Sequence, residues 1–261
     1  MLNRGGSRPA GWAGLFAGLV AVFGATLDAG AIKTPPRPRR TIAVEVVADS
    51  SLRNNESWKV DIFCAMRDVS QALQELSGIR LTIKAYHYWT PRNIPVRTSG
   101  APRPQTLGTI LSVFNDHVRN AGRGGCELVV ALVPEGPDGP VFPGIADYLM
   151  GTVMVKYLER KEGIKFVLLH EICHIFGAVD LKAGGSVMSL QNPGFRIDDF
   201  TKSIIEVNRQ RSFRPGECPL TEEGILAAIG LYRDRQSHGL GETELDICLN
   251  KLQAMKPGEH R

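Results

Sequence analysis

His170, Glu171 and His174 stand as His-Glu-x-x-His inside an apolar stretch running from Ile164 to Phe176. Two histidines four residues apart on a helix project from nearly the same face, one turn apart. That spacing lets both imidazoles bind one Zn2+ while Glu171 points toward the remaining metal position. Zinc lowers the pKa of a bound water, and an adjacent carboxylate can take the proton as the water attacks a peptide carbonyl. The same carboxylate can then return it to the leaving amine. Val167, Leu168, Leu169, Ile172, Ile175 and Phe176 make the surroundings apolar nearly all round. Two imidazoles and a carboxylate would be costly there without a metal.

The residues just beyond add to this. Gly177 is where the helix must stop and turn, because glycine tolerates the left-handed conformation that other residues avoid. Asp180 lies six residues past His174, where a chain that has just turned can bring a side chain back to the metal. Two imidazoles and one carboxylate leave a fourth position open for water, the catalytic arrangement. Glu206, on a helix further downstream, is the rival third ligand. His87, His117 and His238 fit less well, and His87 sits in a strand pattern between Tyr86 and Tyr88. Cys173 faces away from the ligands and is assigned to the core. Asp198 and Asp199 open a helix and are expected to cap it.

The elements that must position these groups follow from periodicity. Ile42 to Ala48 is β-rich and predicts a buried strand. Trp58, Ile62, Phe63, Met66, Val69, Leu73 and Leu76 recur near a 3.6 period and predict a helix over 57–77, closed by Gly78. Strands are expected over 79–89 and 127–133, with one or two more over 144–157. A proline-rich loop spans 91–104. Helices are expected over 106–118, 164–176, 198–212, 221–235 and 242–255. Strands alternating with helices imply an α/β (α+β) fold, a mixed sheet with helices packed against it.

Composition narrows the function classes. With 43% hydrophobic and 22% charged residues the chain is ordinary for a globular protein. Its formal charge of +4 sits at the front. Residues 1–31 are net positive by one, and Lys33, Arg37, Arg39 and Arg40 add four more, so residues 41–261 fall one short of neutral. A nucleic-acid binder would carry its basic face on the folded part, so nucleic acid is not expected as a partner. Arg4 and Arg8, the uncharged run from Gly11 to Leu27 and the small residues Ala29-Gly30-Ala31 predict a signal peptide over 1–31. An uncleaved anchor is the alternative, and contact with a membrane is expected only in that case. Either way the body is placed outside the cytoplasm, secreted or periplasmic. Residues 32–40 predict a Pro/Arg-rich linker that does not pack. The body is expected over 41–235, followed by a helical tail over 236–261. Of the five cysteines, Cys218 and Cys248 could form one disulfide, or all five could be buried small hydrophobes.

The motif resembles that of the metzincin zinc peptidases, HExxHxxGxxH or HExxHxxGxxD followed by a methionine turn. His170, Glu171, His174, Gly177 and Asp180 match it position by position, and Ser186-Val187-Met188 looks like the methionine turn. Val46 to Asp49 resembles the family's first strand, Gly144 to Val155 its edge strand, and Leu220 to Tyr232 the closing helix of matrixins. The resemblance thus covers roughly residues 41–235. It implies a mixed, mostly parallel twisted sheet above the active-site helix and a smaller helical lower subdomain. It further implies Zn2+ held by His170, His174 and Asp180, with Glu171 as general base and acid and Met188 as a floor beneath the metal. The implied reaction is peptide-bond hydrolysis in a protein or peptide substrate, which pairs as an added strand with backbone groups in 144–154. The chain departs from the pattern in carrying Asp as third ligand, the less common choice. No tyrosine closely follows Met188, and no cysteine precedes residue 41, so a cysteine-switch propeptide is not expected. The alternatives are a secreted, inactive binding module on the same scaffold and a thermolysin-like zincin using Glu206. Nothing in the sequence sets the oligomeric state.

Overall fold

A computed structural model describes residues 39–90, 107–122, 124–134, 143–157, 161–181, 185–189, 194–213 and 220–236, together with Asn250 and Ala254. The leader, most of the linker, the proline-rich loop, Cys218, His238 and Cys248 lie outside these residues. So does the helix expected over 242–255, apart from Asn250 and Ala254. Among the described residues no helix is long and apolar enough to cross a membrane.

The chain runs through β1 (Arg40–Asp49), a short 3-10 turn (Ser50–Asn54), α1 (Ser57–Ser77), β2 (Ile79–Trp89) and α2 (Leu107–Ala121). It continues through β3 (Leu128–Pro134), β4 (Gly144–Asp147), β5 (Thr152–Tyr157), α3 (Lys161–Ile175), α4 (Asp199–Asn208) and α5 (Glu222–Gln236). One five-stranded sheet forms in the order β2-β1-β3-β5-β4. The first four of these strands are parallel, and β4 alone is antiparallel, against β5. The expected α/β architecture with a mixed sheet is therefore present.

Both faces of the sheet are covered, which is why β3 is buried from Leu128 to Val133 instead of alternating. Ile42, Val44, Val46 and Ala48 of β1 face α1 and α3, joining Trp58, Ile62, Val69, Leu168 and Ile172 in the larger core. Val47, Val129, Ala131 and Met154 face α2, against Leu111, Phe114 and Val118. Burying each such side chain contributes roughly 1.5–3 kcal/mol. Gly78 ends α1 in the left-handed conformation, at φ +71, and its carbonyl receives the amides of Arg39 and Arg40. At the outer edge the register slips between Val44 and Glu45, leaving Lys84 of β2 without a partner in β1. A bulge carrying an exposed lysine discourages further strand pairing along that edge.

Beyond shifts of up to three residues at the ends of other elements, such as α2 ending at Ala121 and α3 starting at Lys161, two boundaries differ from expectation in ways that matter for packing. Arg40 belongs to β1 and not to a loose linker: it pairs with Ile79. Its guanidinium bonds Glu127 Oε1 at 2.7 Å and the carbonyls of Arg209 and Arg211. Proline-rich composition hides a residue whose anchors are distant in sequence. The helix expected over 198–212 ends at Asn208, where Arg209 N and Arg211 N turn to acceptors three residues back, Glu206 O and Asn208 O. The carbonyls of Arg209 and Arg211 accept from Arg40.

Candidate metal centre

The helix α3 crosses the larger core, with Ile164, Leu168, Leu169, Ile172, Cys173, Ile175 and Phe176 all at most 1% exposed. A helix apolar nearly all round is stable only when buried, and burial fixes the direction in which His170 and His174 project. Their rings lie edge to face, centroids 4.6 Å apart and 88° between planes, and Phe166 stacks beside His170. Gly177, at φ +89, then turns the chain back.

The histidine tautomers follow from their partners. His170 Nδ1 lies 2.8 Å from Val187 O, and His174 Nδ1 lies 2.8 Å from Ala178 O. A carbonyl oxygen only accepts, so each Nδ1 carries the hydrogen and donates. Each neutral ring then presents a lone pair at Nε2. The two Nε2 atoms face each other at 3.1 Å, and Asp180 Oδ1 lies 3.3 Å from one and 3.4 Å from the other. Asp180 Oδ1 is buried and accepts no hydrogen bond. Three electron-pair donors thus converge on one point, an arrangement that could hold a metal ion.

The proton affinities describe the same conflict. Burial, and then the neighbouring His174, lower the proton affinity of His170. Burial would do the same to His174, but the facing Asp180 and the Glu171 charge outweigh it and raise its pKa. Asp180 is held below the usual carboxylate range, the facing His174 overcoming the upward push of burial. Proton affinity is thus lowered at His170 and raised at His174, on either side of the point the three donors share. A metal ion can occupy that place with all three donors engaged. His170, His174 and Asp180 are the one group among the described residues whose donor atoms converge in this way.

Glu206 is not brought to this group. It pairs instead with Arg209 at 2.5 Å on its own helix. His87 lies 3.4 Å from Glu45, and His117 packs beside Trp89 and Phe114. Cys173 is wholly buried, and burial pushes its thiol pKa far up, so it is core as expected.

Glu171 is 6% exposed, and burial pushes its carboxyl up to about 7, with His174 pulling down and Asp180 pushing up in smaller measure. Above it runs β4, whose first residue approaches so closely that a Cβ on Gly144 would lie 2.7 Å from Glu171 Oε1. Only a glycine permits that approach.

Met188 is wholly buried. Its carbonyl accepts from Leu181 N at 2.7 Å, tying the residue after Asp180 to the Ser186–Met188 turn, while Val187 O holds His170. Asp198 does more than cap α4. Its Oδ1 accepts from Thr201 N at 2.9 Å, and its Oδ2 accepts from Ser186 Oγ at 2.5 Å, fastening this turn to the helix. Sequence reasoning anticipated the cap and missed the fastening. It also missed Gly144, Asn208, Arg211 and Tyr232, which hold the site from other elements. A glycine opening a strand pattern is a signal of close backbone approach; the other three carried none.

No family model matches the chain, and no curated protein matches it. A solved structure described as "Structure of a chaperone-substrate complex" is similar at 17% identity and a TM-score of 0.47, over 64% of this chain. The match covers 33% of that chain, so this protein spans about a third of its length. A likeness this slight carries no weight for fold or function.

Proposed function

We propose that this protein is an exported zinc-dependent endopeptidase of the metzincin type. The observation that carries the reading is the convergence of His170 Nε2, His174 Nε2 and Asp180 Oδ1. Their separations of 3.1, 3.3 and 3.4 Å suit a tetrahedral ion. Ligand bonds of 2.0–2.1 Å imply edges of about 3.3–3.4 Å between ligands. Two nitrogens and one oxygen, with a fourth position open, form the donor set of catalytic zinc sites, whereas Ca2+ and Mg2+ favour all-oxygen sets. Zinc bound there supplies a Lewis acid that makes water a nucleophile near neutral pH.

The chain's own residues supply the rest. Glu171, adjacent to the donors and shielded from solvent, takes the proton from the attacking water and delivers it to the leaving amine. Met188 closes the floor, and the carbonyls of Val187 and Ala178 hold each imidazole with its Nε2 toward the metal.

The substrate is read from β4. Lys156 N donates to Pro143 O at 2.9 Å, so Gly144 and Val155 form a non-hydrogen-bonded pair. The N–H and C=O of Ile145 and Asp147 therefore turn toward β5, and those of Gly144 and Ala146 turn outward. An extended peptide adds there as a further strand, which sets its backbone beside Glu171. Export rests on the sequence of residues 1–31.

The test is metal content by mass spectrometry on the purified chain, beside Asp180→Ala, Glu206→Ala and Glu171→Gln. About one zinc per chain is expected, lost in Asp180→Ala and kept in the other two. A peptide-library assay should then find hydrolysis by the wild type, with Glu171→Gln slower by about 10²–10⁴-fold. Loss of zinc in Glu206→Ala instead of Asp180→Ala would move the site to the thermolysin-like class. Zinc without hydrolysis of any peptide would leave a binding module.

A further inference from the structure

The turn after α3 is held by side chains from elements far along the chain. Tyr232 on α5 donates its hydroxyl to Gly177 O. Arg211, 1% exposed, donates Nη1 to Ile175 O and Nη2 to Tyr148 O. Its guanidinium lies 3.9 Å from the Tyr148 ring centroid. Asn208, the last residue of α4, presses on the same turn: a Cβ at Gly177 would lie 3.4 Å from its Nδ2 and 3.2 Å from Tyr232 Oη. The Asn208 amide is itself fixed, accepting from Tyr148 Oη at 3.0 Å and donating to Ile204 O at 3.0 Å.

These contacts have a specific target. His170 and His174 ride on α3, whose ladder and burial place them, while Val187 O and Ala178 O orient their rings. Asp180 is different: it reaches the metal only because the chain reverses at Gly177. We propose that Tyr232 and Arg211 are positioning residues for the third metal ligand. By gripping Gly177 O and Ile175 O they fix the turn that returns Asp180 to the two imidazoles, and so couple the docking of α5 to metal affinity. The inference rests on the metal-site reading above. Neither residue belongs to the ligand group, so their influence passes through the turn, chiefly to Asp180 and in smaller part through Ala178 O to His174.

Double-mutant cycles test it. Zinc affinity is measured by competition with a chromogenic chelator in the purified chain, in Tyr232→Phe, in Asp180→Ala and in the combination. The thermal midpoint of each metal-free form is recorded beside it. Tyr232→Phe is expected to weaken zinc binding about tenfold, the lower end for loss of a group that orients a ligand. Added to Asp180→Ala, whose residual two-histidine affinity the competition still reads, it should cause a clearly smaller loss. An unchanged affinity, or the same loss in both backgrounds, would overturn the proposal and leave Tyr232 a purely structural residue. If Tyr232→Phe does not fold, the cycle with Arg211→Lys decides. That variant keeps the charge but cannot reach both carbonyls, and the same non-additivity is expected. A wild type that binds no zinc would sink the metal-site reading itself, and this inference with it. That failure is distinct from a wild type that binds zinc with an affinity indifferent to Tyr232.

Discussion

Replacing Gly144 by alanine probes how closely the edge strand is pressed onto the motif helix. The added Cβ would stand 2.6 Å from Val167 Cγ1 and 2.7 Å from both Glu171 Cγ and Glu171 Oε1. Carbon atoms in contact sit about 3.5–4.0 Å apart, so roughly 1 Å of relief is needed. Val167 is buried and cannot retreat, and β4 is paired with β5 along all four of its residues. The side chain of Glu171 is the part that can yield. Gly144 has no positive φ, so alanine adds no backbone strain of its own.

Overpacking of this kind costs about 1–3 kcal/mol. The smaller conformational entropy of the unfolded alanine chain offsets about 0.4–1 kcal/mol of it. A net loss of about 0.5–2 kcal/mol is expected in urea unfolding. The catalytic effect should be larger. Misplacing a reacting group by about 1 Å can cost on the order of 10²-fold, about 2.7 kcal/mol at the barrier. Zinc content should be unchanged, because the nearest atoms belong to Val167 and Glu171 and not to the ligands. Ile145→Val is the control, since Ile145 packs on the opposite face of the sheet and should spare kcat. Gly144→Ala with kcat within twofold of wild type and undiminished stability would refute the close approach and, with it, the placement of Glu171 beneath β4.

Two further outcomes are expected. Removal of the metal with a chelator should lower the thermal midpoint, because a ligand at 100 times its Kd stabilises the folded state by about 2.7 kcal/mol; scans at rising free zinc that give one fixed midpoint would contradict a site formed only on folding. Asp198→Asn should destabilise by about 1–3 kcal/mol near pH 6, by weakening the charged acceptor of Ser186 and Thr201. Burial pushes Asp198 up, but those hydrogen bonds outweigh it and hold its pKa below the ordinary value. Its contribution is therefore complete above about pH 4 and disappears as pH falls through the folded pKa. Urea unfolding of both forms at pH 6 and pH 3 should show the gap closing, and a gap that stays constant with pH would count against this role.

Most elements could be read from the chain because their signals are local. The 3.6 period through Trp58, Ile62, Val69 and Leu73 and the β-rich runs at 42–48 and 127–133 each express one buried face or strand. Helix ends were less legible: α4 stops at Asn208, and the chain just beyond it is held by Arg40, far back in sequence, through the carbonyls of Arg209 and Arg211. The site divides in the same way. His170, Glu171 and His174 are related by helix geometry, which four-residue spacing encodes directly, and Gly177 by the backbone conformation that glycine alone adopts freely.

What the sequence alone determined is the set of groups that one stretch of helix and its turn bring together, because bonded geometry carries that information across a few residues. The tertiary structure decided between Asp180 and Glu206, since only the folded backbone says which carboxylate meets the imidazoles and which turns to Arg209. It also decided that Gly144 presses on Glu171, that Asp198 fastens the Met188 turn, and that Arg211 and Tyr232 grip the chain where it reverses. Those contacts join residues from 12 to 63 positions apart. Their partners are largely backbone carbonyls, which every residue offers alike, so the sequence carries no mark of which one is bound.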